Sequence, residues 1–167
     1  MGSISLQELG RWFERESNAL VLYARQWLDP SAAEDAVQDV FVNLILQSQP
    51  PEHVKAWLYR AVRNRALKRL RSESRRSDRE NRVAAEAPGW FEPRPGNGLD
   101  AREAEEALRR LPADEREIVT LRLWGGLTLE DIATVLACSV ATVFRRYQAG
   151  IEGVRNQLEE SWTGTMP

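Results

Sequence analysis

Residues 127–146 read LTLEDIATVLACSVATVFRR, and this stretch decides the fold of the second half of the chain. Thr128 stands where a helix needs an N-cap, and Leu129 to Leu136 follow as a short apolar helix. Ala137-Cys138-Ser139 makes a tight turn, and a longer helix runs from Val140 to about Leu158. A short helix, a three-residue turn and a longer helix form the pattern of a helix-turn-helix. Ile132, Ala133 and Leu136 are expected to pack against Val140 and Val143. Ser139 would cap the longer helix and leave N–H groups at its start for a phosphate. Ala141, Thr142, Arg145 and Arg146 would then face a major groove, where Arg pairs with guanine edges and Thr touches a thymine methyl. An ordinary helical hairpin with solvated arginines has the same outline. Only Arg145, Arg146 and Arg155 are basic in the second helix, so its DNA affinity alone is expected to be weak and salt-sensitive.

Working upstream, Gly125-Gly126 turns the chain, and Leu108, Leu111, Ile118, Val119, Leu121 and Leu123 supply a helical core. Asp100, with Glu103 three residues on, suggests where this domain starts. Before it, residues 83–99 hold prolines and glycines at linker density. Seventeen residues span at most ~60 Å, close to two turns of B-DNA at ~34 Å each.

The first half is helical too, because no segment alternates like a strand. Ser5 and Glu8 have capping-box spacing, and Leu6, Leu9, Phe13, Leu20, Tyr23, Ala24 and Trp27 form an apolar face ended by Asp29-Pro30. A second box, Ser31 with Glu34, opens the next helix. There Ala33, Ala36, Val37, Val40, Phe41 and Leu44 recur at core spacing, while Asp35, Gln38, Asp39 and Val42 share another face. That acidic face suits a protein partner, or plain solvation. After Gln49-Pro50-Pro51, a third helix runs from about His53 towards Asn81, with Val54, Leu58, Ala61 and Val62 inward. Trp57, Arg60, Asn64, Lys68, Arg71 and Arg75 share one flank. A ring beside positive charge, as at Trp57 and Tyr59, can stack an unpaired base while arginines hold phosphates. A solvated charged face looks similar, and Trp57 suits burial equally well.

Charge divides the chain in the same way. Residues 1–52 hold 3 basic against 8 acidic groups, residues 53–82 hold 11 against 3, and residues 83–167 hold 9 against 14. A basic block inside an acidic chain points to one surface for a polyanion and others for something else. No apolar run reaches the ~18 residues that cross a bilayer, and no secretion signal opens the chain. Cys138 is the only cysteine and His53 the only histidine, so no metal site and no internal disulfide is expected, and a reduced cytoplasmic setting fits. Phosphate loops and catalytic motifs are missing from the sequence, so neither an enzyme nor a cofactor is expected.

These motifs resemble the extracytoplasmic-function sigma factors. Residues 33–41 (AEDAVQDVF) look like that family's second-region signature, residues 56–64 (AWLYRAVRN) like its next helix and residues 67–71 like that helix's end. In the second half Leu111-Pro112, Arg116-Glu117, Leu121-Arg122, residues 127–133, Thr142-Val143 and Arg146 match. The resemblance implies an all-α chain of two small helical domains, 1–82 and 100–167, joined by a flexible linker at 83–99. It implies no catalysis of its own, and core RNA polymerase and promoter DNA as partners. An anti-sigma factor is expected to regulate a chain that is monomeric when free. Asp35, Gln38, Asp39, Val40 and Phe41 would dock on the polymerase clamp. Trp57, Tyr59, Arg60, Arg63, Asn64, Lys68 and Arg71 would read and melt the minus-10 element. Ser139, Ala141, Thr142, Arg145 and Arg146 would read the minus-35 element. Five positions depart: Ala137 where the family often has Gly, Phe144 where Lys is frequent, Lys68 where Asp is frequent, and helix-weakening Gly150 and Gly153. A stand-alone helix-turn-helix regulator, or a sigma mimic that sequesters an anti-sigma factor, fits the same motifs; the first would need a dimer face that the sequence does not display.

Overall fold

The computed structural model describes residues 3–77 and 101–164, without the side chains of Ser77, Ala101 and Arg102. These residues form seven helices: α1 (Leu6–Ala24), α2 (Pro30–Ile45), α3 (Val54–Ser77), α4 (Ala101–Arg110), α5 (Ala113–Leu123), α6 (Leu129–Leu136) and α7 (Val140–Thr163). No strand occurs among the described residues. They fall into two compact units, α1–α3 and α4–α7. The linker at 83–99, the Asp100 cap and the continuation of α3 towards Asn81 lie outside the described residues.

In the first unit all three helices pack on one another. Ser5 caps α1 as expected: its hydroxyl accepts from the Glu8 N–H at 3.2 Å, and the Glu8 carboxylate accepts from the Ser5 N–H at 3.0 Å. The Ser5 N–H, and then the Ser5 hydroxyl donating to the same carboxylate at 2.8 Å, hold the Glu8 carboxyl below its ordinary pKa. Burial on α1 begins only at Glu16 and continues through Leu20, Tyr23 and Ala24. Leu6 is therefore 79% exposed, and Phe13 is covered on one side by an edge-on contact with Phe41 at 5.0 Å.

The junction between α1 and α2 differs from the sequence expectation. Helix α1 stops at Ala24, so Trp27 lies beyond it, and Asp29-Pro30 starts α2 instead of ending α1. The Asp29 carboxylate accepts from the Ala32 N–H at 2.9 Å, and no Ser31/Glu34 box forms. Pro30 explains the choice, because its fixed φ and missing N–H suit the first helical position. Ala33, Ala36, Val37, Val40, Phe41 and Leu44 are all buried, as their spacing requires.

In the second unit α7 is the central element, in contact with α4, α5 and α6. Leu108, Leu111 and Val119 form a core that half-buried Trp124, Tyr147, Ile151 and Val154 complete. Leu123, expected in this core, is 54% exposed. It is the last residue of α5, and the ring of the next residue, Trp124, packs inward in its place.

The turn between α6 and α7 rests on a strained residue. Ala137 has φ 53°, in the left-handed region that favours glycine. The Cys138 N–H donates to the Ala133 carbonyl at 3.1 Å and the Ala137 N–H to the Thr134 carbonyl at 3.4 Å, which satisfies the open end of α6. Ile132 and Val143 are fully buried across this turn, whereas Val140 stays outside on the first turn of α7.

Gly150 and Gly153, unfavourable by helix propensity alone, stand where α7 packs closest to its neighbours. A Cβ at 150 would lie 2.7 Å from Val119 Cγ2, and one at 153 would lie 2.6 Å from Leu111 Cδ2. The glycines let α7 approach the core closely. Helix α7 continues past Leu158 to Thr163.

Two opposite outcomes are expected from thermal or urea melts. Ala137→Gly relieves ~1–2 kcal/mol of left-handed strain, partly offset by chain entropy, and raises stability by about 0.5–1 kcal/mol. Gly150→Ala, which helix propensity alone would favour by ~1 kcal/mol, instead destabilises by roughly 1–3 kcal/mol through overpacking.

Candidate polymerase and nucleic-acid interfaces

Helix α2 separates its two stripes cleanly. Asp35, Gln38, Asp39 and Val42 are exposed, back to back with the buried set. Val40 and Phe41, expected to touch the polymerase, are 1% and 4% exposed. They are corrected to core residues, which hold the acidic stripe in place from behind. Asp39 pairs with Arg65 of α3, a link between positions 26 apart that no local spacing signals. Val42 extends the stripe towards exposed Ile45 and Leu46 at the end of α2.

Helix α3 presents the basic flank. Arg60, Asn64, Lys68, Arg71 and Arg75 are exposed, and Trp57 is half-buried at its start. Arg60, Lys68 and Arg71 have no ion-pair partner among the described residues, so their charge is available to a polyanion. Arg63 is half-buried and engaged. Tyr59, expected to stack a base, is 1% exposed and stands 5.4 Å from the Tyr23 ring. This is a second correction: Tyr59 packs the core one step off the flank. Its hydroxyl finds no hydrogen-bond partner among the described residues. Burial, with the Glu16 carboxylate second, pushes its phenol well above the ordinary range.

Glu16 escaped the sequence reading. It is buried on α1, and the Lys55 ammonium of α3 lies 3.5 Å from it. A carboxylate at core spacing, four residues before Leu20, was the available signal.

At the helix-turn-helix, the Ser139 hydroxyl accepts from the Thr142 N–H at 3.1 Å and lies 2.8 Å from the Thr142 hydroxyl. That pair sets the first turn of α7. Ala141 and Arg145 are exposed, and Thr142 and Arg146 are half-buried. Arg146 reaches Asp114 of α5 at 3.3 Å, so it is shared between its own unit and any DNA. Exposed Phe144 and Gln148 border this surface and were not among the expected reading residues.

No group of three or more metal-binding side chains occurs among the described residues, and no described helix is long and apolar enough to cross a membrane.

These two surfaces lie in stretches that match two known families. Residues 12–76 match the family described as Sigma-70 region 2, and residues 101–152 match Sigma-70, region 4. The RNA polymerase sigma-H factor of Pseudomonas aeruginosa is 31% identical over 146 residues, covering 78% of this chain and 75% of that protein. The chain belongs to the extracytoplasmic-function sigma factors. The ECF RNA polymerase sigma factor SigK of Mycobacterium ulcerans is 28% identical over 148 residues, 84% of this chain and 79% of that one. A solved structure shares the fold with a TM-score of 0.77, at 24% identity, over 92% of this chain and 98% of the other. It is the sigma factor RpoE in complex with the anti-sigma factor NepR from Bartonella quintana. As a sigma factor, the protein is a transcription initiation factor that directs RNA polymerase to promoters, and it is not itself an enzyme.

Because the Tyr59 hydroxyl is buried and unpartnered, Tyr59→Phe is expected to leave stability unchanged or raise it by up to ~1 kcal/mol. Promoter opening by the reconstituted holoenzyme, read by permanganate reactivity of unpaired thymines, should stay at the parent level. A several-fold loss of opening with the melt unchanged would return Tyr59 to the DNA.

Proposed function

We propose that this sigma factor docks on core RNA polymerase through the acidic stripe of α2, with Asp35, Gln38 and Asp39 as contacts. The observation that carries this reading is the division of α2 into a fully buried stripe and an exposed acidic one on a single short helix. The buried stripe is rigidly packed, so the outer one is pre-organised for a protein partner.

The α3 flank then engages the minus-10 element. Arg60, Lys68 and Arg71 hold phosphates, Asn64 pairs with a base edge, and Trp57 stacks a base flipped from the duplex. Unstacking costs on the order of 1.4 kcal/mol per step. One aromatic stack contributes ~1–3 kcal/mol, so a single captured base is enough to favour opening. Arg63, half-buried beside this flank, orients it. In the second unit Ser139, Ala141, Thr142, Arg145 and Arg146 read the minus-35 element in the major groove. Residues 1–82 and 100–167 act as separate domains tethered by 83–99. Neither needs high affinity alone, because polymerase holds both and raises their effective concentration.

An anti-sigma partner is proposed as the regulator. The Bartonella quintana structure, a sigma factor with its anti-sigma factor, supports that reading through a fold shared along nearly the whole chain. The single free cysteine suits a reducing cytoplasm.

The test is binding of the purified chain to core RNA polymerase, beside a double variant, Asp35→Arg with Gln38→Ala. Both positions are exposed, so the variant should melt within ~0.5 kcal/mol of the parent. Core binding is expected to fall at least about tenfold, since a reversed charge meets the same partner. Equal binding by both chains would remove α2 from the interface. In the same holoenzyme, Trp57→Ala should reduce promoter opening roughly five- to 150-fold, the factor that corresponds to one lost base stack.

A further inference from the structure

We infer that Phe144 reads the C5-methyl group of a thymine in the upstream promoter element, so that the reading face of α7 is apolar on one side and cationic on the other. The inference rests on the assignment of α7 to the major groove.

Phe144 is 48% exposed although its neighbour Val143 is fully buried. The core-facing side of α7 is occupied by Val143 and Gly150, with Tyr147, Ile151 and Val154 packed half-buried against the core. Phe144 falls on the flank of that face. Residues four apart on a helix are neighbours, so Val140 lies one turn before it and Gln148 one turn after. Val140 and Gln148 are exposed, as are Ala141 and Arg145 on the solvent side.

The electrostatics of these first turns are lean. Arg146 is shared with Asp114 at 3.3 Å, and Arg145 has no ion-pair partner among the described residues. Ser139 and Thr142 are tied to each other, at 2.8 Å between hydroxyl oxygens. The one guanidinium here without such a partner, Arg145, stands beside an apolar patch of Val140, Ala141 and Phe144.

A phenyl ring brings no charge to a phosphate and no hydrogen bond to a base edge. The feature of the major groove that it complements is the thymine methyl. Phosphate contacts position a protein, whereas such base contacts specify sequence. Phe144 therefore acts as a specificity residue, and Arg145 beside it favours a guanine close to that thymine.

The experiment uses holoenzyme reconstituted from the full chain and core RNA polymerase. Upstream elements are selected from randomised promoter DNA, and each selected thymine is then replaced by deoxyuridine, which removes only the methyl group. One replacement is expected to weaken holoenzyme binding about fourfold, the factor for one methyl returned to water. Phe144→Ala should abolish that penalty and flatten the preference at the same base pair, while Phe144→Leu should keep both. Melts of the variants should match the parent, since the side chain is outside the core. Neutral deoxyuridine replacements throughout, or a penalty of equal size in Phe144→Ala, would overturn the inference. A selected element insensitive to Phe144→Ala, Thr142→Ala, Arg145→Ala and Arg146→Ala alike would take α7 out of the groove and overturn the underlying assignment with it.

Discussion

Each unit of this protein is a handful of helices, and each helix can bury only one face. That constraint governs the rest of the structure. In α2 the face that carries Val37, Val40 and Leu44 is sealed against α1 and α3, so what the helix offers to a partner comes from its outer side, where Asp35, Gln38, Asp39 and Val42 stand. In α3 the inward residues Leu58, Tyr59, Val62 and Ala66 leave Arg60, Asn64, Lys68 and Arg71 outside. Function occupies the faces that folding does not need. A small core has few apolar residues to lose, so the two sets barely overlap.

The second unit applies the same constraint more tightly. Helix α7 is in contact with three neighbours. Gly150 and Gly153 bring its backbone against Val119 and Leu111, which leaves the first turns of α7 free of core duty apart from Val143. The capped start at Ser139 and the left-handed residue at Ala137 then aim those turns outward. A glycine pair that costs helix propensity thus supports the close packing that holds the reading helix. Local preference and tertiary packing pull in opposite directions here, and packing wins because the overlap at 2.7 Å would cost more than the propensity gained.

Ion pairs link neighbouring helices across these surfaces. Arg65 with Asp39 ties the basic helix to the acidic one, and Arg146 with Asp114 ties the reading helix to α5. Both pairs are exposed, so each is worth little for stability, typically under ~1 kcal/mol. Their effect is to orient side chains on surfaces where a partner docks. A weak pair of this kind can be exchanged for a contact with polymerase or DNA at small cost.

The all-helical class, the cap at Ser5, the buried stripe of α2, the basic flank of α3 and the short helix, turn and longer helix around Ala137 were legible in the sequence by itself. Each is a local matter of capping chemistry or of spacing near 3.6 residues, and such signals survive without knowledge of neighbours. The family resemblance drew on the same local runs, such as residues 33–41 and 127–133. Only the tertiary structure decided which residues at the margins of each stripe are covered. Tyr59 goes inside and Leu6, Leu123 and Val140 stay out, because burial depends on which helix lies opposite, and spacing along one helix carries no record of that. The pairing of Asp39 with Arg65, the burial of Glu16 near Lys55 and the use of Gly150 likewise join residues far apart in the chain. They exist because packed helices bring distant positions together, and that is settled by the shape of the whole unit.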